Sequence, residues 1–413
     1  MSYLDKLLDG VKVEWMTLGG VAKIQRGASP RPIAKFITTN EDGIPWIKIG
    51  DTSPNSKYVN NTEQKITNDG AAKSRVLKKG DFIMSNSMSF GRPYILNIDG
   101  AIHDGWASIS GFCNKLDSDY LYHYLSSNFA QNYWLSKINS GSVSNLNSDI
   151  IKSLDIPIPP LEIQKEIVRI LDTFTELTAE LTAELTAELT ARKNQYAYYR
   201  EELFNFDRRK IEWAAMEKIG EFLRGKRFVK DDMTLEGVPC IHYGEMYTHY
   251  GTWANESKSF LNEELVKTKN LRVAEKGDVV IVAAGETIED IGKGTAWLGD
   301  KGIVIHDACF SYRSPLNSKY VAYFSRTKHF HDQIKKHISS GKISAINAKG
   351  LGKVLIPVPP FEEQERIVTI LDKFDTLTTS ISEGLPREIE LRKKQYEYYR
   401  DMLLTFPKDN LKA

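Results

Sequence analysis

The chain has 413 residues, of which 41% are hydrophobic and 26% charged, and its formal net charge is +1. These values are typical of a soluble globular protein with two to four domains. No run of about 20 apolar residues occurs, so the sequence predicts no membrane span. The N-terminus does not have the pattern of a signal peptide. The three cysteines, Cys113, Cys240 and Cys309, are far apart and form no metal-ligand spacing, so we expect a reducing, cytoplasmic location.

The chain contains two copies of one sequence frame, about 200 residues apart. Residues 140–174 and 340–374 align without a gap, and RKNQYAYYR from Arg192 matches RKKQYEYYR from Arg392. Each copy starts with a Lys-x-Glu-Trp segment, at Lys12 and at Lys210, and continues to Arg26-Gly27 or Arg224-Gly225. Residues 28–139 and 226–339 hardly resemble one another. This pattern predicts two similar scaffolds that carry two different recognition surfaces.

Each insert has the mixed pattern of an α+β domain. Strand-like runs rich in β-branched residues are IPWIKIGD from Ile44, GDFIMSNS from Gly80, GDVVIVAAGE from Gly277 and GIVIHDACF from Gly302. Helical patterns close the inserts, from Asp119 in the first and from Lys319 in the second. The inserts are weakly basic and the repeated helical segments weakly acidic, which permits nucleic-acid binding without requiring it.

A proline motif and a long helix follow each insert. IPIPP (156–160) and IPVPP (356–360) should end one element and start the next, because proline holds the chain extended. Apolar residues from Ile163 then recur at spacings of four and three, the seam of a coiled coil. From Ile163 to Phe206 this helix would measure roughly 65 Å. Three TAEL units at 178–189 predict a helical spacer within it.

The second copy repeats the seam, but its helix should be interrupted. Gly384 and Pro386 stand where the first copy has TAEL units, and both residues disfavour a continuous helix. The two helices can pair with each other through their matching seams. The seams alone leave parallel and antiparallel pairing open.

No catalytic signature in the sequence is complete. The glycines from Gly285 to Gly292 fail the spacing of a phosphate-binding loop. His103-Asp104 and His306-Asp307 occupy similar places in the two inserts. They allow a metal or acid–base pair, but a turn histidine bonded to its neighbours is the favoured interpretation because no further ligands lie at metal spacing.

With these features the chain resembles the DNA-specificity subunit of type I restriction-modification enzymes. The resemblance lies in the duplicated frame, the paired IPxPP-(L/F)-E-x-Q-x-x-I-V-x-I-L-D segments, the RK-x-Q-Y-x-Y-Y-R helix ends and the TAEL units, which are typical of one branch of that family. It covers nearly half of the chain. It implies an α+β protein with two target-recognition domains at residues 1–160 and 207–360. Two spacer helices at 161–206 and 361–413 would form an antiparallel coiled coil with a pseudo-two-fold internal repeat.

The resemblance also implies a function and a set of partners. Each domain would read one half of a bipartite, asymmetric site in double-stranded DNA. Two modification subunits would methylate adenine with S-adenosylmethionine, and restriction subunits would cleave DNA using ATP and Mg. This chain would bind no cofactor or metal and would catalyse no reaction.

Candidate DNA-binding residues follow from the chemistry that such contacts need: cations and hydroxyls for phosphates, and polar side chains for base edges. In the first insert and the segment after it they are Arg26, Ser29, Arg31, Lys35, Lys48, Ser87, Ser89, Arg92, Tyr94, Ser140, Gly141 and Ser144. In the second copy they are Arg224, Lys226, Arg227, Lys230, His242, Tyr243, Tyr247, Tyr250, Glu286, Lys293, Ser340, Gly341, Lys342 and Ser344.

Two other functions remain open from the sequence. The chain could be a coiled-coil adaptor that joins two proteins without touching DNA, or an enzyme with a cryptic active site. DNA binding that weakens steeply with rising salt would distinguish a DNA-specificity subunit from the adaptor. DNA modification without partner subunits would indicate the enzyme.

Overall fold

A computed structural model describes residues 3–53, 56–86, 91–112, 114–137, 146–341, 343–380 and 383–407. The chain divides into two compact units. The first unit contains Met1–Glu184 and Ile389–Ala413, and the second contains Leu185–Glu388. Among the described residues, no helix combines the length and apolar character needed to cross a membrane.

The globular part of the first unit has short helices and strands. Its α-helices are α1 (Tyr3–Leu8), α2 (Leu18–Val21), α3 (Asn68–Ala71), α4 (Ser118–Leu125), α5 (Asn128–Lys137) and α6 (Ser148–Lys152), and its 3-10 helices are Ile33–Lys35 and Ile49–Asp51. Its strands are β1 (Glu14–Thr17), β2 (Lys23–Arg26), β3 (Ile37–Thr38), β4 (Ile44–Ile47), β5 (Tyr58–Val59), β6 (Gln64–Ile66), β7 (Arg75–Leu77), β8 (Phe82–Ser85), β9 (Pro93–Leu96), β10 (Gly100–Ile102), β11 (Trp106–Ser110) and β12 (Asp155–Ile158). The long helix α7 (Leu161–Leu203) follows.

The second copy contains the corresponding elements. Its α-helices are α8 (Met216–Ile219), α9 (Glu245–Thr248), α10 (Glu263–Thr268), α11 (Ser318–Phe324), α12 (Lys328–Ile334) and α13 (Ala348–Gly352), and its 3-10 helices are Lys230–Asp232, Ile288–Asp290 and Lys335–His337. Its strands are β13 (Trp213–Ala215), β14 (Glu221–Arg224), β15 (Met233–Thr234), β16 (Val238–Ile241), β17 (Trp253–Ala254), β18 (Ser259–Leu261), β19 (Val273–Ala274), β20 (Val279–Val282), β21 (Ala284–Gly285), β22 (Gly294–Trp297), β23 (Ile303–Ile305), β24 (Cys309–Arg313), β25 (Ser344–Ala345) and β26 (Leu355–Pro357). Helices α14 (Phe361–Thr379) and α15 (Leu385–Leu403) follow.

The two inserts share one strand topology although their sequences hardly match. The five-stranded sheets of the first unit have the orders β3-β6-β4-β10-β7 and β2-β11-β8-β9-β5, and β1 pairs with β12. In the second unit the orders are β15-β18-β16-β23-β19 and β14-β24-β20-β22-β17, and β13 pairs with β26. Each strand in these orders of the first unit has a counterpart at the same place in the second unit. The parallel pairs β4–β10 and β16–β23 also correspond. One fold therefore presents two different sets of side chains.

The proline motifs act as the sequence predicts. Ile156 and Pro157 belong to β12, which pairs antiparallel with the Glu14–Thr17 strand at the start of the same copy. Helix α7 begins at Leu161, directly after Pro160. The pairing explains why the repeated Lys-x-Glu-Trp segment and the repeated proline motif occur together.

A buried glutamine fixes the start of each long helix to its recognition domain. Gln164 accepts a hydrogen bond from the Asp117 backbone amide (2.8 Å) and donates to the carbonyl oxygens of Lys115 (3.1 Å) and Pro159 (2.7 Å). Gln364 accepts from the Asn317 amide at 2.9 Å and donates to a proline carbonyl at 2.9 Å. Because the amide is out of water, every lost bond would leave an unpaired polar group.

A tyrosine and an aspartate add to this attachment. The hydroxyl groups of Tyr120 and Tyr320 donate to the carbonyl oxygens of Pro157 and Pro357, each at 3.0 Å. In the first unit Asp172, the aspartate of the repeated I-L-D motif, forms a hydrogen bond of 2.8 Å with His123 of α4. In the other unit the corresponding aspartate binds α11 through the Tyr323 hydroxyl and Lys319. Much of the repeated motif thus serves to attach helix to domain.

Each unit is completed by a helix end from the other sequence copy. Leu403, Leu404 and Phe406 from the end of the chain are buried in the core of the first unit, with Ile167 and Leu171 of α7. In the second unit Phe204 takes the corresponding place, with its ring 4.9 Å from that of Tyr320. Helix α7 ends at Leu203, three residues before the expected limit at residue 206, and Phe204 lies in this core.

Within each unit, residues of α7 contact residues of a long helix from the second copy. In the first unit Phe174 contacts Tyr399 (ring centroids 5.9 Å apart), and the Thr175 hydroxyl donates to the hydroxyl of Tyr396 at 2.9 Å. In the second unit Phe374 stacks on Tyr196 and Tyr199 at 6.1 and 5.5 Å. In these contacts the earlier residues of one helix meet the later residues of the other.

The TAEL segment and its counterpart differ as expected. Leu181, Leu185 and Leu189 are half-buried while the glutamates of the three units are exposed, and α7 is uninterrupted there. In the second copy α14 ends at Thr379 and α15 begins at Leu385. A Cβ at Gly384 would collide with the carbonyl oxygens of Thr376 and Leu377, so the interruption depends on this glycine.

Replacing the buried glutamine should destabilise its unit. We expect Gln164→Leu, which keeps the volume but removes all three hydrogen bonds, to lower the free energy of unfolding by about 2–4 kcal/mol. Urea unfolding of the full chain measures this. The matched control is Lys165→Leu on the exposed neighbouring position, for which we expect a change within about 0.5 kcal/mol. Equal stability of the two variants would contradict the role assigned to Gln164.

Candidate nucleic-acid interface

Corresponding loops form one cleft in each unit. The first cleft has a volume of about 320 Å³ and is lined by Ser29, Pro30, Arg31, Ile33, Ile37, Trp46, Lys48, Gln64, His103 and Asp104. The second cleft, of about 560 Å³, is lined by Arg224, Arg227, Phe228, Val229, Lys230, His242, Tyr243, Ala284, Gly285, Glu286, His306, Asp307, Ala308 and Ile343. Both lie where the loop after β2 or β14 meets the end of β4 or β16 and the turn after β10 or β23.

An arginine and a glycine form the same frame beside both clefts. The Nε of Arg26 donates to the carbonyl oxygen of Asp104 at 3.1 Å, and the Nε of Arg224 donates to that of Asp307 at 3.0 Å. A Cβ at Gly27 or Gly225 would collide with the backbone carbonyl of the facing histidine. The repeated Arg-Gly pair is thus explained by a close approach of two chain segments, and it leaves the guanidinium at the surface.

The two His-Asp pairs are turns of the same kind. His103 Nδ1 accepts a hydrogen bond from the Gly105 amide at 2.9 Å, and His306 Nδ1 accepts one from the Ala308 amide at 3.1 Å. In both rings the remaining proton therefore lies on Nε2. The turn interpretation is confirmed, and within the described ranges no three or more His, Cys, Asp or Glu side chains are grouped to hold a metal ion.

The first cleft has a carboxylate between cationic and hydroxyl groups. Asp104 accepts a hydrogen bond from Ser29 at 2.9 Å and contacts Arg31 at 3.3 Å. Burial alone would raise the pKa of Asp104, but the Ser29 hydrogen bond, His103 and Arg31 outweigh it and hold the pKa below its usual value. Since the Arg31 side chain is 83% exposed, this ion pair is weak and the guanidinium can exchange it for a phosphate.

The second cleft combines cations with a cluster of rings. The His306 ring lies 4.8 Å from that of His242 and 5.2 Å from those of Tyr243 and Phe228. Burial lowers the pKa values of both histidines, so both are neutral at pH 7. The exposed Arg224, Arg227 and Lys230 supply the positive charge of this cleft, and Glu286 is an exposed acceptor on it.

Several predicted residues lie outside the two clefts. Lys35 is exposed, and Arg92 and Lys226 are half-buried. Lys293 forms an ion pair with Asp290, and the hydroxyl of Tyr247 donates to the carbonyl of Ala284 at 3.3 Å. Ser87, Ser89, Ser140, Gly141, Ser144 and Lys342 lie outside the described residues.

Three predicted contacts are corrected by the structure. Tyr94 is 2% exposed and packs edge-on against Trp106, and Tyr250 is 7% exposed within the core of the second unit. Both rings fill the interior, so neither lies at a DNA-facing surface. Ser344 is also buried, because it belongs to β25 and pairs with Gly285. Ser340 and Gly341, in the same segment, are exposed.

Sequence reasoning missed the apolar residues of the clefts. Ile343 is 63% exposed and lines the second cleft, and Ile37 is exposed in the first. A lone isoleucine within the polar segment SGKIS could have signalled this. Gln64, which also lines the first cleft, carries no signal that separates it from other surface residues.

Comparisons with known proteins agree on one family. The family model described as "Type I restriction modification DNA specificity domain" matches residues 10–191 and again 211–391. The chain is 34% identical to the specificity subunit of the type I restriction enzymes EcoR124I and EcoR124II of Escherichia coli, over 99% of this chain and 98% of that protein. It is 33% identical to a putative type I specificity subunit of Haemophilus influenzae, over 98% of both.

Solved structures show the same fold. A chain from a type I restriction-modification system aligns with a TM-score of 0.72 and 19% identity, covering 95% of this chain and 98% of that one. The HsdS subunit of Thermoanaerobacter tengcongensis aligns with a TM-score of 0.60 and 18% identity, covering 95% and 96%.

The buried histidines should make the second unit sensitive to acid. Because burial lowers the pKa of His306 below its usual 6.5, the unfolded chain binds the proton more readily than the folded chain, and stability present above pH 6.5 is lost as the pH falls below it. We expect His306→Asn, whose amide oxygen can replace Nδ1, to lose roughly 2 °C less than the wild type in unfolding temperature between pH 7.5 and pH 5.5. Calorimetry measures this.

The matched control is His103→Asn at the corresponding turn of the first unit, where the side chain is 41% exposed. We expect it to leave the acid sensitivity of the chain unchanged. An identical acid response of wild type and His306→Asn would show that His306 does not cause the loss.

Proposed function

This chain belongs to the type I restriction-modification DNA specificity family, and we propose that each of its two units reads one half of a bipartite, asymmetric DNA site through its cleft. The observation that carries this proposal is the pairing of a constant frame with different linings. The Arg-Gly and His-Asp elements have the same geometry in both clefts, while the other lining residues differ. Two versions of one binding surface suit two unlike sequences.

The chemistry of the linings supports contact with a duplex. Arginine and lysine side chains at the rims can neutralise phosphates, and such contacts position a protein without reading sequence. Lys48 in the first cleft, and His242 with Tyr243 in the second, can face base edges or stack on them. The recognition domains so proposed are residues 1–160 and 207–360.

We assign bond-making to partner subunits. Two modification subunits would methylate adenine with S-adenosylmethionine, and restriction subunits would use ATP and Mg for cleavage. The support for this assignment is the naming of the relatives as specificity subunits of restriction enzymes. This chain would determine the DNA site at which the complex acts, and its helices would bind those partners.

The long helices would set the distance between the half-sites. We infer that α7 pairs with α14 and α15 as an antiparallel coiled coil, for which the paired aromatic contacts within each unit are the support. The 43 residues of α7 correspond to roughly 65 Å of helix. The TAEL units would act as exchangeable spacers of about 6 Å each, as in the family branch that the sequence resembles.

DNA binding should be strongly salt-dependent, with separable contributions from cleft cations. We expect Arg227→Ala to weaken binding and to reduce the slope of log K against log salt by about 1. Titration of a site-containing duplex at several salt concentrations measures the slope. The control Lys267→Ala removes an exposed lysine of α10 that pairs with Glu263 and should leave the slope unchanged. Binding that does not respond to salt would contradict the proposed function.

The spacer proposal predicts a change in the methylated sites. Deleting Thr178–Leu181 removes about 6 Å of helix, against roughly 3.4 Å per base-pair step. We expect the unspecified spacer to shorten by up to about two base pairs while both half-sites stay the same. Genome-wide mapping of methylated adenines in cells that express the complete system measures this, and insertion of a fourth TAEL unit should lengthen the spacer. An unchanged spacer in both variants would refute the role of these units.

A further inference from the structure

We propose that Lys48 and His242 occupy corresponding positions of the recognition fold, and that the side chain at this position determines which base each unit prefers. The inference rests on the proposed function, because it assumes that each cleft receives one half of a DNA site. It goes further by separating one base-reading position from the residues that only hold the frame.

The two residues occupy corresponding places in the sheets. β4 pairs in parallel with β10 through Ile47 and Ile102, and β16 pairs in parallel with β23 through Ile241 and Ile305. Lys48 and His242 are each the first residue after these strands end. Each residue therefore enters the cleft of its own unit from the carboxyl end of the corresponding strand.

The backbone at this position is held in the same way in both units. The amide of Lys48 donates to a carboxylate oxygen of Asp51 at 2.7 Å, and the amide of His242 donates to one of Glu245 at 2.9 Å. The acidic residue is the third after the reading position in both sequences. A side chain on a strand end with a fixed backbone is placed more accurately than one on an exposed loop, such as Arg31 or Arg227.

Both side chains present N–H donors of different shape. The Lys48 ammonium donates to Glu63 at 2.9 Å, an exposed partner that it can exchange for a base. His242 Nδ1 accepts a hydrogen bond from the Gly244 amide at 3.3 Å, which leaves the proton of the neutral ring on Nε2. Donors complement the O6 and N7 acceptors of guanine and oppose the amino group of cytosine. The long flexible ammonium and the short planar ring differ in reach and in shape, so an exchange of the two should alter which base is preferred.

The frame residues are unsuited to this discrimination. Arg26 and Arg224 each donate to the corresponding backbone oxygen of their own unit. A contact that is identical in both units cannot distinguish two half-sites. The position that changes from lysine to histidine within this constant surrounding can do so.

The test exchanges the two residues in the full-length chain. The wild type, Lys48→His and His242→Lys are each incubated with a library of random duplex DNA, and bound duplexes are sequenced. We expect a two-part motif from the wild type. We expect Lys48→His to change the relative enrichment at one base position of one half by about tenfold, with the other half unchanged, and His242→Lys to do the converse.

Three further variants separate base reading from charge and from folding. Lys78→His alters an exposed lysine of the first unit that pairs with an aspartate, Asp99, much as Lys48 pairs with Glu63, and should leave the motif unchanged. Lys48→Gln and His242→Gln form a second pair if an exchanged variant does not fold, and should move the preference toward adenine. Unchanged motifs from folded cleft variants would overturn the inference and leave the proposed function standing. No two-part motif from the wild type would overturn both.

Discussion

The hydrogen bonds of the buried glutamine at the start of each long helix are the constraint from which the rest of each unit follows. Gln164 and Gln364 are 0% and 3% exposed, and they bind the loop before α4 or α11 and the carbonyl of the preceding proline motif. Because an unpaired amide is costly in the interior, the helix leaves its recognition domain in one direction. The tyrosine and aspartate contacts of the same motif then add to a geometry that is already set.

The residues around the two clefts fall into those that hold the backbone and those that differ between the units. Backbone approach at Gly27 and Gly225, the arginine bonds to the facing carbonyls and the histidine turns all involve main-chain atoms. Such contacts tolerate any side chain in the remaining lining positions. The same strand order can therefore persist while the lining changes from Ser29, Arg31 and Lys48 to Arg227, Lys230 and His242.

The sequence predicts those features that local chemistry decides. The proline motifs, the helix interruption at Gly384 and the strands at Ile44, Gly80, Gly277 and Gly302 are all present, because proline, glycine and β-branched runs act over a few residues. The common topology of the inserts was not predictable, since strand order depends on distant pairings that their side chains do not repeat. The sequence places Tyr94 and Tyr250 at the surface because they stand in polar segments, whereas packing against residues distant in the sequence buries both rings. Many of the predicted cations do line the clefts, but Ile343 shows that apolar rims escape a search based on charge.

The exchange of helix ends between the two sequence copies has a consequence for synthesis on the ribosome. The core of the first unit requires Leu403, Leu404 and Phe406, which are made after all of the second unit, whereas the second unit obtains Phe204 from a helix that is already complete. Domains usually fold in the order in which they emerge. Here the first unit must wait until residues 403–406 have been made, so a nascent chain that stops before them carries an uncovered hydrophobic surface in its first unit.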